Sequence, residues 1–514
     1  MDGGSGLDEL GRRRALAARM GGEQAVARQR DRGKLTVRDR IDQLCDAGSF
    51  REIGSVSGKA EYDPDGRLIE LSPSNFLFGR ARIDGRPVVI AADDNTVRGG
   101  AADATIDEKV VQAEKMALEL RLPMIRLIDA TGGSVRTTEA LGRTYVPMNP
   151  GWDSVVASLE TVPVVALVLG SVAGIASARA VSAHLTVMVE GMSHMFIAGP
   201  PVVRGAMGKD LGKDELGGAR IHERAGAADL VVADEAEAFA TVRSFLAYLP
   251  SSSGEEIPRA PCDDPADRRE PALASVVPSD RRRVYKMRGI LEAVFDAGSV
   301  MEMAPRYGRS SITALARLEG RTVGVLASDP MIYGGAWSAD TAMKVTRFVD
   351  FAETFRLPVV HLVDIPGFRI GPDAEQAGTI RHGSRALAAV YQASVPWCSV
   401  IVRKCFGVAG AANLNPERFR FRYAWPSGDW GSLPLEGGVE AAFRRDLDAA
   451  PDRAARLKEL TAGLEKYRDP FRTAEAFNIE EIIDPSETRP LLCDFAELAY
   501  RINRREPPRT RARP

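Results

Sequence analysis

The chain has 514 residues, in which 68 Lys and Arg nearly balance 70 Asp and Glu for a formal net charge of −2. That balance offers no global attraction for nucleic acid or an anionic membrane. Five dispersed cysteines (Cys45, Cys262, Cys398, Cys405, Cys493), with no CxxC or Cys/His ligand spacing, argue against a disulfide frame or a zinc site and read as reduced thiols of a cytoplasmic protein.

In chain order, residues 1–6 read as disordered, and the first residues lack the apolar centre of a signal peptide. Arg13 to about Asp46 reads as helical, with a turn at Arg32-Gly33-Lys34. Residues 76–93 alternate in polarity about Asp84-Gly85, which predicts a β-hairpin. Val110, Ala113, Ala117 and Leu120 follow helical spacing within 108–121, and Pro123 ends that helix before a short apolar strand, 124–129. The loop Asp129-Ala-Thr-Gly-Gly-Ser134 comes next, with backbone amides free to point outward.

From Val162 the chain reads VPVVALVLGSVAGIASA: a Val-Pro, an apolar run of strand character, then Gly174 and small residues. Its length and polarity superficially suit a membrane span, but a buried strand running into a helix explains the Gly, Ala and Ser content better. The same pattern returns from Val395 as VPWCSVIVRKCFGVAGA, with Gly407 again twelve residues after the Val. A strand, a tight glycine turn and a helix start leave amide hydrogens uncovered, and such donors stabilise a developing oxyanion.

The repeat is longer than that stretch. Ala81-Arg-Ile-Asp-Gly-Arg86 returns as Ala316-Arg-Leu-Glu-Gly-Arg321, 235 residues on, and Leu122-Pro123, Asp129 and Gly132 return as Leu357-Pro358, Asp364 and Gly367 at the same shift. Val345, Phe348, Val349, Ala352 and Phe355 mark the second helix, VVHLVD the second strand and Ile365-Pro-Gly-Phe368 the second loop. Two similar α/β domains follow, expected over 1–250 and 283–514 and joined by a Pro-rich, charged linker at 251–282. Residues 439–466 and about 490–503 read as further helices, and the basic tail 504–514 as a solvated end.

Several chemistries are missing. There is no GxxxxGK[ST] loop, no GxGxxG after a first strand, no HExxH and no GxSxG. None of His184, His194, His222, His361 and His382 pairs in sequence with a nucleophile signature, so all read as structural. Cys405 reads as a small residue at a strand end, and the Lys of Ala342-Met-Lys-Val345 as part of an amphipathic helix, not a biotinylation tip.

Arg32-Gly-Lys-Leu-Thr36, DGRPVVIAADDNTVRGG, SHMFIAGPPVV, ELGGARIH, VDIPGFRIG, TIRHG and VIVRKCFG stand in an order that resembles the carboxyltransferase (β) subunits of biotin-dependent acyl-CoA carboxylases of the propionyl-CoA and methylcrotonyl-CoA type. The resemblance covers nearly the whole chain. It implies two tandem crotonase-like domains with ββα repeats, the first holding acyl-CoA and the second biotin. It also implies a hexamer, no metal, and biotin delivered by a biotin carboxylase/biotin carrier subunit. Carried over by position, one oxyanion hole falls on Gly174 and Ile175, with Gly132 and Gly133 on the substrate side. The other falls on Val408 and Ala409, with Gly407 on the biotin side and Ala411 at a place linked to acyl-chain preference.

The chain also departs from that pattern. The second glycine of each hole is Ile175 or Val408, which would be strained if forced to positive φ. AANLNPERFRFRY and Leu433-Pro-Leu-Glu-Gly-Gly438 replace the usual segments after the second hole. These changes leave two alternatives beside carboxyl transfer, a decarboxylase of malonyl-type thioesters and a non-catalytic scaffold in a mixed hexamer.

Overall fold

The computed structural model describes residues 3–133 and 135–503; the tail 504–514 and the first two residues lie outside it. The chain divides into two compact units at Glu255/Glu256.

The first unit is built on a seven-stranded sheet in the order 51–53, 76–83, 86–93, 124–128, 164–168, 185–189, 230–232. The hairpin 76–83/86–93 is antiparallel, and from 86–93 onward the neighbours are parallel. The Asp-Gly signal explains the hairpin: Asp84 and Gly85 both have positive φ (48° and 78°), and the Asp46 carboxylate accepts both their N–H groups at 2.9 and 2.8 Å. Strands 124–128, 164–168 and 185–189 are buried throughout, as parallel strands covered on both faces must be. Helix Asp107–Leu120 ends at Arg121, whose left-handed φ of 53° precedes Leu122-Pro123.

The second unit repeats this plan in an eight-stranded sheet, along the path 301–303, 311–318, 321–328, 359–365, 397–406, 421–424, 481–482, with 429–431 pairing the end of 397–406. Glu319-Gly320 forms the matching hairpin turn on the Asp296 carboxylate, and Arg356 (φ 56°) ends helix Ala339–Phe355 as Arg121 ends its counterpart. Each unit has its own apolar core, one around Val89, Val164 and Ala180, the other around Val325, Leu362 and Phe495.

Several expectations are corrected. Residues 3–6 open a helix, Gly3–Ala18, and the stretch from Arg13 is three helices, Gly3–Ala18, Glu23–Asp31 and Val37–Leu44: the expected turn at Arg32-Gly33-Lys34 (Gly33 φ 70°) separates the last two, and an unexpected break at Met20 and Gly22, where φ is positive, the first two. An unforeseen hairpin, Gly58–Tyr62 with Leu68–Pro73, packs Leu68 and Leu71 on Leu16. Residues 439–466 hold pieces of three helices, because Pro451 interrupts them and Asp452 caps the last through Ala455 N–H at 3.0 Å. Within 256–282, Leu273 is buried in the core of the second unit. No helix of the described residues is long and apolar enough to cross a membrane.

Candidate active site: two glycine turns

In the first unit, strand Ser171–Ala173 runs into Gly174 and helix Ile175–Val181. Gly174 has φ 61° and ψ −123°, a conformation open to glycine and costly for other residues, and nothing stands within 4 Å of where a Cβ would be. The left-handed position therefore falls on the glycine, and Ile175 keeps a negative φ with its side chain 38% exposed. The Gly174 N–H donates to Phe196 O at 3.2 Å, which corrects the expectation that Gly174 is a donor at this turn. Among the described residues nothing accepts the N–H of Ile175 or of Ala176, because the helical bonds begin with Ala178 N–H to Gly174 O.

The second unit repeats the arrangement. Strand Trp397–Phe406 runs into Gly407 (φ 62°) and the short helix Gly407–Ala411. Val408 also has a negative φ, is 53% exposed, and with Ala409 holds an N–H that no described residue accepts. Ala409 is buried and Ala411 exposed. The atom nearest a Cβ on Gly407 is Ser432 O at 3.5 Å, so the space over the turn is open on that side.

A second glycine loop buttresses each turn. Gly132 (φ 79°) packs so closely on the strand before Gly174 that a Cβ would lie 2.4 Å from Ala173 O, whereas Gly133 is exposed with nothing near it. The loop is hooked in place by Ala102 N–H to Gly132 O (3.1 Å) and Thr131 N–H to Gly100 O (3.2 Å). Its counterpart is held by Trp337 N–H to Gly367 O (3.1 Å) and Arg369 N–H to Trp337 O (2.8 Å). Both hooks begin in a left-handed run, Arg98-Gly99-Gly100 and Tyr333-Gly334-Gly335, whose last glycine approaches the carbonyl of Asp129 or Asp364.

Those two aspartates are the site residues that sequence reasoning used only as landmarks. Both are fully buried at the end of a central strand. Asp129 Oδ2 meets Lys34 Nζ at 2.6 Å and Arg40 Nη1 at 3.0 Å, and Arg40 also donates to Leu169 O at 2.9 Å, just before the strand that leads to Gly174. Burial pushes the Lys34 ammonium below its usual range against the pull of Asp129. Burial also lifts Asp93, which accepts the Asp129 N–H at 3.2 Å, up to about 6. Asp364 Oδ2 takes Arg403 Nε and Nη2 at 3.1 and 2.9 Å and the Tyr285 hydroxyl at 2.9 Å; Oδ1 takes Lys404 N–H at 3.0 Å, three residues before Gly407. An Asp at the same repeat position in both copies was the available signal.

Side-chain acid–base groups are sparse at the turns. Burial pushes the Cys405 thiol up to about 12. His184 and His222 bond backbone groups. Ser171, His194 and Asp214 form a string at 3.2 and 3.1 Å, but Ser171 precedes Gly174 by three residues on an extended strand, roughly 10 Å from the turn. That string braces strand His194–Phe196, whose Phe196 carbonyl holds Gly174, and does not reach the free amides.

Doubled sheets, each ending in a glycine turn with free amides, define a tandem crotonase-like protein. A model of the carboxyl transferase domain matches residues 28–514, and the chain belongs to that family. It is 33% identical over 494 residues, 94% of each chain, to the propionyl-CoA carboxylase carboxyltransferase subunit of Haloferax mediterranei. It is 32% identical over 501 residues, 95% of this chain and 89% of the other, to the human mitochondrial propionyl-CoA carboxylase beta chain. Among solved structures it is similar to the hexameric transcarboxylase 12S with methylmalonyl-coenzyme A bound, at a TM-score of 0.87 and 29% identity, covering 99% of this chain and 97% of that one.

Proposed function

We propose that the protein is the carboxyltransferase subunit of an acyl-CoA carboxylase, moving a carboxyl group from carboxybiotin on a separate carrier subunit to an acyl-CoA. The observation that carries this reading is the pair of equivalent turns in one chain, each placing its left-handed residue on a glycine and leaving the following amides unspent. In this reading the first turn receives the thioester. Ile175 N–H, beside that of Ala176, meets the thioester oxygen, which becomes negative as the α-carbon loses its proton; each well-placed donor there is worth on the order of 3 kcal/mol of barrier. Gly132, packed on Ala173 O, sets the loop beside the approach, and the exposed Gly133, with nothing near where a Cβ would be, lets the thioester lie against the backbone.

The second turn suits a biotin ureido ring: it offers two adjacent unspent amide donors, the exposed Val408 and the buried Ala409 behind it, with Gly407 absorbing the turn. When bound, that ring supplies the carboxyl group and a nitrogen able to take up the α-proton. Val408 and Ala409 N–H would hold its oxygen, and Ala411 leaves room beside it. Both developing charges are met by amides, so the scheme asks for no metal. The hexamer of transcarboxylase 12S, with methylmalonyl-coenzyme A bound, supports a homo-hexamer that takes acyl-CoA here; a biotin carrier is the further partner this reading asks for.

The test follows labelled carboxyl from carboxybiotin to propionyl-CoA on the purified full chain. In parallel, CO2 release from malonyl- and methylmalonyl-CoA is measured without biotin. Labelled product supports the reading. Release without transfer at saturating donor replaces it with a decarboxylase, and inactivity relieved only in a mixed complex replaces it with a scaffold.

A further inference from the structure

The loop after Asp364 carries a guanidinium that is fixed in place and has no polar partner among the described residues. Arg369 is half-buried, its backbone is hooked to Trp337 O, and its guanidinium carbon stands 4.5 Å from the centre of the Tyr333 ring. Among the described residues it bonds no carboxylate and no carbonyl; the acids next along the chain, Asp373 and Glu375 on helix Pro372–Gln376, make no ion pair with it. Phe368, beside it, presses its ring on Gly383, which anchors the loop from beneath. Tyr333 is 60% exposed, at a φ of 50° in the left-handed turn that both units share. The equivalent residue of the first unit, Arg98, sits in the same left-handed turn but is ion-paired with Asp103.

Register places the pair at the second turn. Ile365 is the strand partner of Cys405, so the loop 366–369 leaves the sheet alongside Phe406, Gly407 and Val408. A guanidinium lying on an aromatic face keeps its edge N–H groups in one plane, the geometry that grips a carboxylate with two hydrogen bonds. We propose that Tyr333 and Arg369 form a carboxylate-binding platform beside the second turn, and that it takes the carboxyl group borne on the ring nitrogen of the ligand held there. This inference rests on the reading of that turn given above. It makes Arg369 the residue that distinguishes a loaded ureido ring from a spent one.

Calorimetry on the full chain with 2-imidazolidone and with its N-carboxymethyl derivative isolates this step, because the two cyclic ureas differ by one carboxymethyl group, which carries the only carboxylate, and neither reacts. The acid is expected to bind the wild type at least tenfold more tightly than the parent urea. Arg369→Ala should abolish that preference, Tyr333→Ala should reduce it severalfold, and Arg369→Lys, which keeps the charge and loses the fork, should restore it only in part. Equal binding of the two ureas by wild type, or an undiminished preference in Arg369→Ala, overturns the proposal. In the transfer assay Arg369→Ala should raise KM for free carboxybiotin about tenfold with KM for the thioester unchanged. A rise seen only with carrier-borne donor overturns it too, by showing that Arg369 reads the carrier surface. If wild type transfers nothing yet still prefers the acid, the proposed function fails and the platform stands.

Discussion

Ile175 and Val408 show how a residue that breaks a pattern can leave the turn intact. A β-branched side chain is strained at positive φ, but in both turns that conformation belongs to the preceding glycine, so the donor amide keeps its place. What matters at Ile175 is therefore its N–H. Proline at the first position of a helix fits the backbone and removes only that hydrogen. Ile175→Pro is expected to lower kcat by about 10²–10³-fold, with circular dichroism and Tm close to wild type. Ile175→Gly, which keeps the amide, should stay within about tenfold. An active proline variant would show that the thioester oxygen is held elsewhere. Gly335 gives the opposite case, where the side chain matters and the amide does not. A Cβ there would stand 2.2 Å from Asp364 O at a φ of 88°, so Gly335→Ala should cost at least about 2 kcal/mol in urea unfolding.

At the scale of elements, each turn follows backbone tied to a buried carboxylate at the end of a central strand. Asp364 binds Arg403, Tyr285 and the Lys404 amide and so fixes the last residues before Gly407; Asp129 holds Arg40, which donates to Leu169 O, and with Lys34 packs against Gly170. Removing one partner of a buried ion pair strands the other, at a cost of roughly 3–5 kcal/mol. Asp364→Asn should lose stability of that order and, at permissive temperature, raise KM for the biotin donor more than KM for the thioester. Asp129→Asn should do the reverse. Steady-state kinetics on both variants checks the pairing, and equal effects on the two substrates would mean that the carboxylates only hold up the fold.

For the molecule as a whole, what could be read from the sequence divides by how local its cause is. The hairpin at Asp84-Gly85, the helix ending before Leu122-Pro123 and both glycine turns rest on turn chemistry and periodicity within a dozen residues, and those features stand where they were expected. The commitment of Gly174 N–H to Phe196 O comes from a strand pairing across an intervening strand, and the stacking of Arg369 on Tyr333 joins two loops flanking a helix and a strand; neither leaves a local signature. His361 stands between these cases: its place in the apolar strand VVHLVD marks it as structural, but not that it lies wholly inside the second unit, edge-on to Trp397 at 5.9 Å. Burial pulls its pKa from 6.5 down to about 3, against a hydrogen bond to the Asn413 backbone that raises it. Because the folded value lies below the unfolded one, the unfolded chain binds the proton first. The neutral imidazole therefore contributes its full stability above about pH 6.5 and loses it as pH falls towards about 3. Between pH 6.5 and 5 the loss should be about 2 kcal/mol, read as a falling urea midpoint for the second unit. His361→Leu should flatten that limb, and it leaves no acceptor bare, since Asn413 O also takes Trp397 Nε1 and Ser399 Oγ. If the midpoint of the leucine variant still falls as steeply over that window, other groups set the acid limit and His361 is only a packing residue.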